Sequence, residues 1–230
     1  MGKLIVHHLG VSQSDRVVWL CEELGLDYEL KKYDRAPIFS PPEYCKLHPL
    51  CAAPVIEDGD IKLAESAACV EYICHTKADG SLFVAPGKQN YADFLYWFHF
   101  ANGTFQPMIS RGLAIMGAGA GKESEAIKRF DAKKHQILSF LDQRLSQVPW
   151  LAGDDFTAAD IMIVFSLTVM RCFYQYDLGD YENILAYLQR ISKREAYKRA
   201  LQKGDPDLDI EKLIGAAPPP LQKGLAARMK

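Results

Sequence analysis

The side chains whose types and spacing can do chemistry gather in three short stretches. The first is Ser12-Gln13-Ser14-Asp15-Arg16. It follows an apolar, β-branched run from Lys3 to Leu9 and precedes Val17, Val18, Leu20, Cys21 and Leu24 at helical spacing. Ser12 therefore lies between a strand and a helix start, where a hydroxyl donating to a sulfur favours the thiolate. Ser14 is the rival hydroxyl, and its plainer use is to cap the helix, worth ~1 kcal/mol. The second stretch is Glu65-Ser66, opening a helical run to Thr76. Free N–H groups and the positive dipole end favour a carboxylate there, although Ser and Glu also suit ordinary capping. The third is Ala53-Pro54, at the mouth of a strand. An X–Pro bond takes the cis form for only ~0.5–1 kcal/mol; the plainer reading is a proline that ends a sheet edge.

Composition narrows the field. The chain has 230 residues, 49% hydrophobic and 24% charged, with a formal net charge of -2. Such a balance gives no reason to expect a nucleic acid or a membrane surface as partner. No stretch approaches the ~18–20 apolar residues of a membrane span. The apolar start, Leu4-Ile5-Val6, is too short for a signal peptide. Met1-Gly2 resembles a myristoylation start, but Val6 stands where Ser or Thr is wanted. Cysteines at 21, 45, 51, 69, 74 and 172 form no Cys-x-x-Cys pair and no zinc spacing. They read as core thiols in a reducing compartment, and no metal is expected.

The elements that must position these residues follow a simple order. Lys3 to Leu9 reads as a strand, Ser12 to Gly25 as a helix with its cap and stop, and Tyr28 to Tyr33 as a second strand. A short helical piece ends near Leu47, and Val55-Ile56 and Ile61-Lys62-Leu63 flank an Asp58-Gly59 hairpin turn. The resulting βαβαββα order predicts a mixed four-stranded sheet with helices packed on it, over residues 1–80. Residues 81–89 read as a linker, residues 90–204 as an all-α domain, and 205–230 as an irregular tail, mobile or draped on the surface. In the all-α part, Asn90 to Met116 forms one long aromatic helix, kinked or ended at Pro107. Thr157-x-x-Asp160 fits a capping box, a structural pair and not a catalytic one.

Taken together, Ser12-x-x-x-Arg16, His48-Pro49 with Ala53-Pro54-Val55, Glu65-Ser66 and Gly153-Asp154-Asp155-Phe156-Thr157-Ala158-Ala159-Asp160-Ile161 resemble the cytosolic glutathione S-transferase family over about residues 3–203. The start is similar to its serine-type members, theta-related and fungal or bacterial. The resemblance implies a thioredoxin-like α/β N-terminal domain and an all-α C-terminal domain. It implies a cytoplasmic homodimer active in detoxification, with glutathione as co-substrate, no tightly bound cofactor and a hydrophobic electrophile as second substrate. It makes Ser12, with Ser14 as alternative, the residue that holds the thiolate for attack on an electrophilic carbon or a peroxide. It gives a cis Pro54, with Ala53 docking the cysteinyl backbone, and Glu65 and Ser66 binding the γ-glutamyl end. Ala52 and Cys51 depart from the family, which often has a long polar residue and a glycine there, so His48 or Lys46 is expected to reach the glycyl carboxylate. Cys51 is close enough to the site for a mixed disulfide with glutathione. Arg16 is expected to pair within the first domain. In the aromatic helix, Phe100, Thr104 and Met108 at i, i+4 and i+8 are the expected electrophile pocket. A non-catalytic binding or regulatory module of the same fold, or a glutathione-dependent isomerase or ether-cleaving enzyme, remains as the alternative.

Overall fold

The computed structural model describes residues 3–119, 121 and 123–228. The Met1-Gly2 start and the last two residues of the tail lie outside them. Strand β1 (Leu4–Leu9), helix α1 (Asp15–Glu23), strand β2 (Tyr28–Tyr33), helix α2 (Pro42–Cys45), strands β3 (Val55–Asp58) and β4 (Ile61–Ala64) and helix α3 (Ser66–Lys77) make the α/β half. The sheet order is β2-β1-β3-β4, with β1 and β2 parallel and the other pairs antiparallel. A parallel pair needs a crossover, and α1 supplies it. Asp58 pairs with Ile61 across the hairpin, and Gly59 takes the turn at φ 61°.

The helical half comprises α4 (Tyr91–Phe100), α5 (Gln106–Gly117), α6 (Glu125–Leu145), α7 (Ala158–Leu167), α8 (Glu182–Ser192) and α9 (Glu195–Gly204), followed by the short α10 (Ile210–Ile214) and α11 (Lys223–Arg228). One core runs through both halves. Leu4 and Val6 of β1 share it with Leu20, Phe94, Phe98, Ile161 and Leu201. Burying each such side chain contributes about 1.5–3 kcal/mol. Helices α1 and α9 are bound edge to edge by charge as well. The Glu22 carboxylate accepts from Tyr28 at 2.8 Å and Arg199 at 3.0 Å, and also from Lys203. Glu23 accepts from Trp19 and Arg194.

Three expectations change. The long aromatic helix is interrupted by a π-helical turn over Ala101–Phe105, with Pro107 in the first turn of the helix that follows. A π-turn adds one residue to the helical repeat and rotates every later side chain. The tail carries two short helices, α10 and α11, and is tied to the rest of the chain. The Arg171 guanidinium donates to the Gly215 and Ala216 carbonyls, and Gln222 reaches back to Cys172 and Pro37. Leu213 and Ile214 are buried. The reading of all six cysteines as free thiols fails for two of them, because Cys45 and Cys51 are joined as a disulfide. The other four are buried thiols, and burial pushes Cys172 up to about 11.

The linker segment is stitched in rather than loose. The Leu82 carbonyl accepts the Ala158 N–H, and Phe83 packs edge-on to Phe94 and Phe98. The Thr157–Asp160 capping box is present, with the Thr157 side chain accepting from Ala159 and Asp160 accepting the Thr157 N–H.

Candidate functional site

The turn between β1 and α1 is forced into shape before any ligand enters. Val11 sits at φ 51°, a conformation that β-branched residues rarely adopt. Its N–H is held by Asp205 at 2.9 Å, and its carbonyl by Arg35 at 2.9 Å. Arg35 also donates to the Gly10 carbonyl. Two long-range clamps thus fix the residue next to Ser12.

Ser12 is buried, with its Oγ 2.7 Å from Ser14 Oγ. It lines a cleft of about 340 Å³ between the two halves. Ala52 and Ala53 line the same cleft, and the Ala53–Pro54 peptide is cis. From the helical half the walls are Gln106 and Leu113 of α5, Phe165 of α7, and Met170 and Phe173 beyond it. Most of this wall is apolar, with Ser12, Ser40, Gln13, Gln106 and Arg35 as its polar members, which suits an apolar molecule brought to a polar reacting atom.

Ser14 does not cap α1. It stands at the N-cap position with no side-chain capping bond. Its Oγ meets His8 Nδ1 at 2.9 Å and accepts the Leu9 N–H at 3.2 Å. Glu65 likewise makes no capping bond at the start of α3 and holds φ 72°. It is exposed, while Ser66 is fully buried. The Ser66 hydroxyl accepts from Arg16 at 3.0 Å and Asn102 at 3.1 Å, and faces Gln13 at 3.3 Å.

Arg16 pairs within the first domain, donating to Gln13 and Ser66 at 3.0 Å each, and also across the halves. It donates to Asn102 Oδ1 at 2.9 Å and lies 4.9 Å from the Phe165 ring centre. Burial pushes its guanidinium down to about 10, against the pull of Asp15. Asp15 is pushed up to about 7 by burial, with Arg16 opposing and Asp205 adding to the rise.

Phe100, Thr104 and Met108 do not line this cleft. Phe100 and Met108 are core residues, and Thr104 is exposed. Phe100 stacks with Tyr96 and meets Trp97 edge-on instead. The i, i+4, i+8 spacing assumes an unbroken α-helix, and the π-turn at Ala101–Phe105 spoils it. His48 is half-buried and takes the Leu50 N–H on Nδ1 at 3.4 Å. It lines neither this cleft nor the larger one behind it. Lys46 is exposed. Cys51 is engaged with Cys45 and offers no thiol for a mixed disulfide in this state.

Sequence reasoning missed His8, Asp205 and the cleft walls from α7 onward. His8 shares the inward face of β1 with Leu4 and Val6, so strand alternation was a usable signal for a buried histidine. No local signal brings in Asp205, which is 197 residues away from His8. Among the described residues no group of three or more His, Cys, Asp or Glu is placed to hold a metal ion, and no helix is long and apolar enough to cross a membrane.

Comparison with known proteins agrees with this geometry. Residues 4–75 match the model of the glutathione S-transferase N-terminal domain, and residues 100–195 that of the C-terminal domain. Glutathione S-transferase 3 of Schizosaccharomyces pombe is 28% identical, with 94% of this chain and 96% of that protein covered. The disulfide-bond oxidoreductase YfcG of Escherichia coli is also 28% identical, covering 82% and 89%. Among solved structures, a glutathione S-transferase from Actinobacillus pleuropneumoniae superposes with a TM-score of 0.79 at 32% identity, over 91% of this chain and 96% of that one. The glutathione transferase URE2P8 of Phanerochaete chrysosporium, solved with oxidized glutathione, gives 0.71 at 25% identity, over 90% and 96%.

Proposed function

Since the chain belongs to the glutathione S-transferase family, we propose that it is a serine-type glutathione transferase in which Ser12 holds the glutathione thiolate. The observation that carries this reading is the Ser12 hydroxyl at the base of a cleft shared with Ala53 and closed by apolar side chains of the helical half. A free thiol titrates near ~8.5 and is mostly unreactive at neutral pH. A preorganised hydroxyl donor lowers that value, and the cleft supplies proximity to the second substrate.

Ala53 offers its backbone to the cysteinyl part of glutathione as an added strand would. The γ-glutamyl carboxylate meets the free N–H groups of the first turn of α3, because the Ser66 hydroxyl is already engaged by Arg16 and Asn102. Glu65, exposed beside it, meets the ammonium. His48 and Lys46 stay as candidates for the glycyl carboxylate, with His48 Nε2 the nitrogen not turned to its own loop. The electrophile lies against Leu113, Phe165, Met170 and Phe173, which favours a small apolar molecule. A cytoplasmic two-fold dimer completes the reading.

An ultraviolet titration of bound glutathione across pH tests it, run with turnover of chlorodinitrobenzene. The wild type is expected to show the thiolate well below the free-thiol value, and Ser12→Ala to lose that shift together with most of its turnover. An unshifted thiol on a protein that binds glutathione would leave a carrier and sink the transferase mechanism.

A further inference from the structure

Behind Ser12 runs an unbroken line of buried polar atoms. Ser12 Oγ lies 2.7 Å from Ser14 Oγ, Ser14 Oγ 2.9 Å from His8 Nδ1, and His8 Nε2 3.1 Å from Asp205 Oδ2. All four residues are buried. Resting on the role given to Ser12 above and extending it, we propose that Ser14 and His8 carry the glutathione thiol proton away from sulfur, and that Asp205 holds the resulting imidazolium.

Counting hydrogens gives the reason. Each serine hydroxyl has one proton to donate. When His8 is neutral with its proton on Nε2, toward the carboxylate, Nδ1 accepts from Ser14 and Ser14 accepts from Ser12. Ser12 then shows the cleft a lone pair, and it has no proton left for a thiolate. When the His8–Asp205 pair has gained a proton, every link reverses. Nδ1–H donates to Ser14, Ser14 to Ser12, and Ser12 into the cleft. The state that stabilises the thiolate is therefore the state that has stored its proton.

The step balances. The S–H bond breaks and its electron pair stays on sulfur. That proton joins Ser12 Oγ, the Ser12 proton passes to Ser14 Oγ, and the Ser14 proton to His8 Nδ1. One proton moves in total, leaving a thiolate at one end and an imidazolium beside a carboxylate at the other. After the thioether forms, the proton returns along the line to the departing group or leaves to water.

Three further observations fit this use. Ser14 is released from capping α1, and the Leu9 N–H that its hydroxyl accepts holds it in place between Ser12 and His8. Gly204 lets the end of α9 meet the imidazole; a Cβ there would lie 3.1 Å from His8 Nε2. A second, larger cleft of about 580 Å³, between the β1–β2 edge and the tail, is bordered by both His8 and Asp205 and gives the proton a way out. Besides Asp205, Lys32 stands opposite His8 in β2, Arg35 and Cys172 border the same cleft, and Asp15 at the start of α1 lies within reach of the Asp205 charge. Arg35, Asp15 and Cys172 each feel the Asp205 charge. Ser14, His8 and Asp205 act through Ser12, so they are positioning and relay residues rather than substrate contacts.

The experiment counts protons. Glutathione is mixed with the protein in weak buffer at about pH 7, where a free thiol is nearly all protonated. A pH indicator reads protons released, and ultraviolet absorbance reads thiolate formed. The relay predicts far less than one proton released per thiolate in the wild type. His8→Gln is expected to form at least about tenfold less thiolate at the same pH, and to release a full proton for each one it forms. Asp205→Asn is expected to do the same, and stands in if His8→Gln does not fold. One full proton per thiolate in the wild type overturns the relay without any variant. If Ser12→Ala loses the thiolate while the wild type releases a full proton, the relay alone fails. If Ser12→Ala keeps the thiolate, or the wild type forms none, the Ser12 reading fails and takes the relay with it.

Discussion

Two buried carboxylates anchor polar networks in this molecule, and they differ in how those networks end. Asp160 accepts from the Leu151 N–H, the Thr157 N–H, the Thr157 hydroxyl and the Tyr187 hydroxyl. Both oxygens are saturated and everything around them is closed. Asp205 spends one oxygen on the Val11 N–H and the other on His8, and from His8 the line continues through two hydroxyls to an open cleft. Both use a carboxylate to order a loop. A network with every partner satisfied can only hold the fold. A network whose last hydroxyl faces a ligand cleft can also pass charge to what binds there.

The largest expected effect breaks the closed network. Asp160→Ala strips partners from four buried donors at about 1–3 kcal/mol each. Urea unfolding is expected to show a loss of about 3 kcal/mol or more, with turnover per folded molecule unchanged. A loss near zero would mean that the Asp160 cluster does not hold the fold.

Ser12→Ala probes the open network from the other side. Removing one preorganised donor costs about 100-fold in turnover, while the loss of its bonds to the Ser14 hydroxyl and N–H costs only about 1–2 kcal/mol of stability. Equal losses in activity and stability would erase the distinction between the two networks.

Asp15 sharpens the comparison through pH. Its carboxyl, pushed up to about 7 by burial, has one oxygen without a partner. The folded chain binds that proton more tightly than the unfolded chain, so stability present at low pH is lost as pH rises from about 4 to about 7. Asp160, pushed up to about 6 by burial, acts in the same direction over a narrower window. Unfolding of Asp15→Asn against pH is expected to be flatter over the upper part of the range. An unchanged slope would assign the whole dependence to other groups.

The smallest effect is expected at Gly204. Gly204→Ala places a Cβ 3.1 Å from His8 Nε2, so the ring must shift by a few tenths of an ångström. Stability should hardly move, since alanine offsets the crowding by up to about 1 kcal/mol of helix propensity. Turnover with chlorodinitrobenzene is expected to fall severalfold. Unaltered turnover would mean that the His8 position is not critical to the site.

What was legible in the chain was what local periodicity and capping control. The β1-α1-β2 order, the Asp58-Gly59 turn and the Thr157–Asp160 box all appear where the residues place them, and the Ala53–Pro54 bond is cis as the family resemblance implies. What was not legible depends on distant partners or on phase. Ser14 looks like a cap, and only the fold shows its hydroxyl turned to His8. Phe100, Thr104 and Met108 share a face only if no residue is inserted between them, and the π-turn inserts one. The tail looks dispensable in composition, with Pro218-Pro219-Pro220 and balanced charge, yet its backbone carbonyls satisfy a buried arginine. Cys45 and Cys51 lack any recognised spacing, and α2 with the loop after it brings them together.

The contact between His8 and Asp205 spans 197 residues. Ser12 and Ser14 are made long before Asp205. At ~5–20 residues per second, roughly 10–40 s separate the two during synthesis. Until then the growing chain carries Ser12 with the Val11 N–H unclamped and His8 without its carboxylate. A chain cut short before Asp205 carries every residue of the α/β half and lacks the carboxylate that His8 meets.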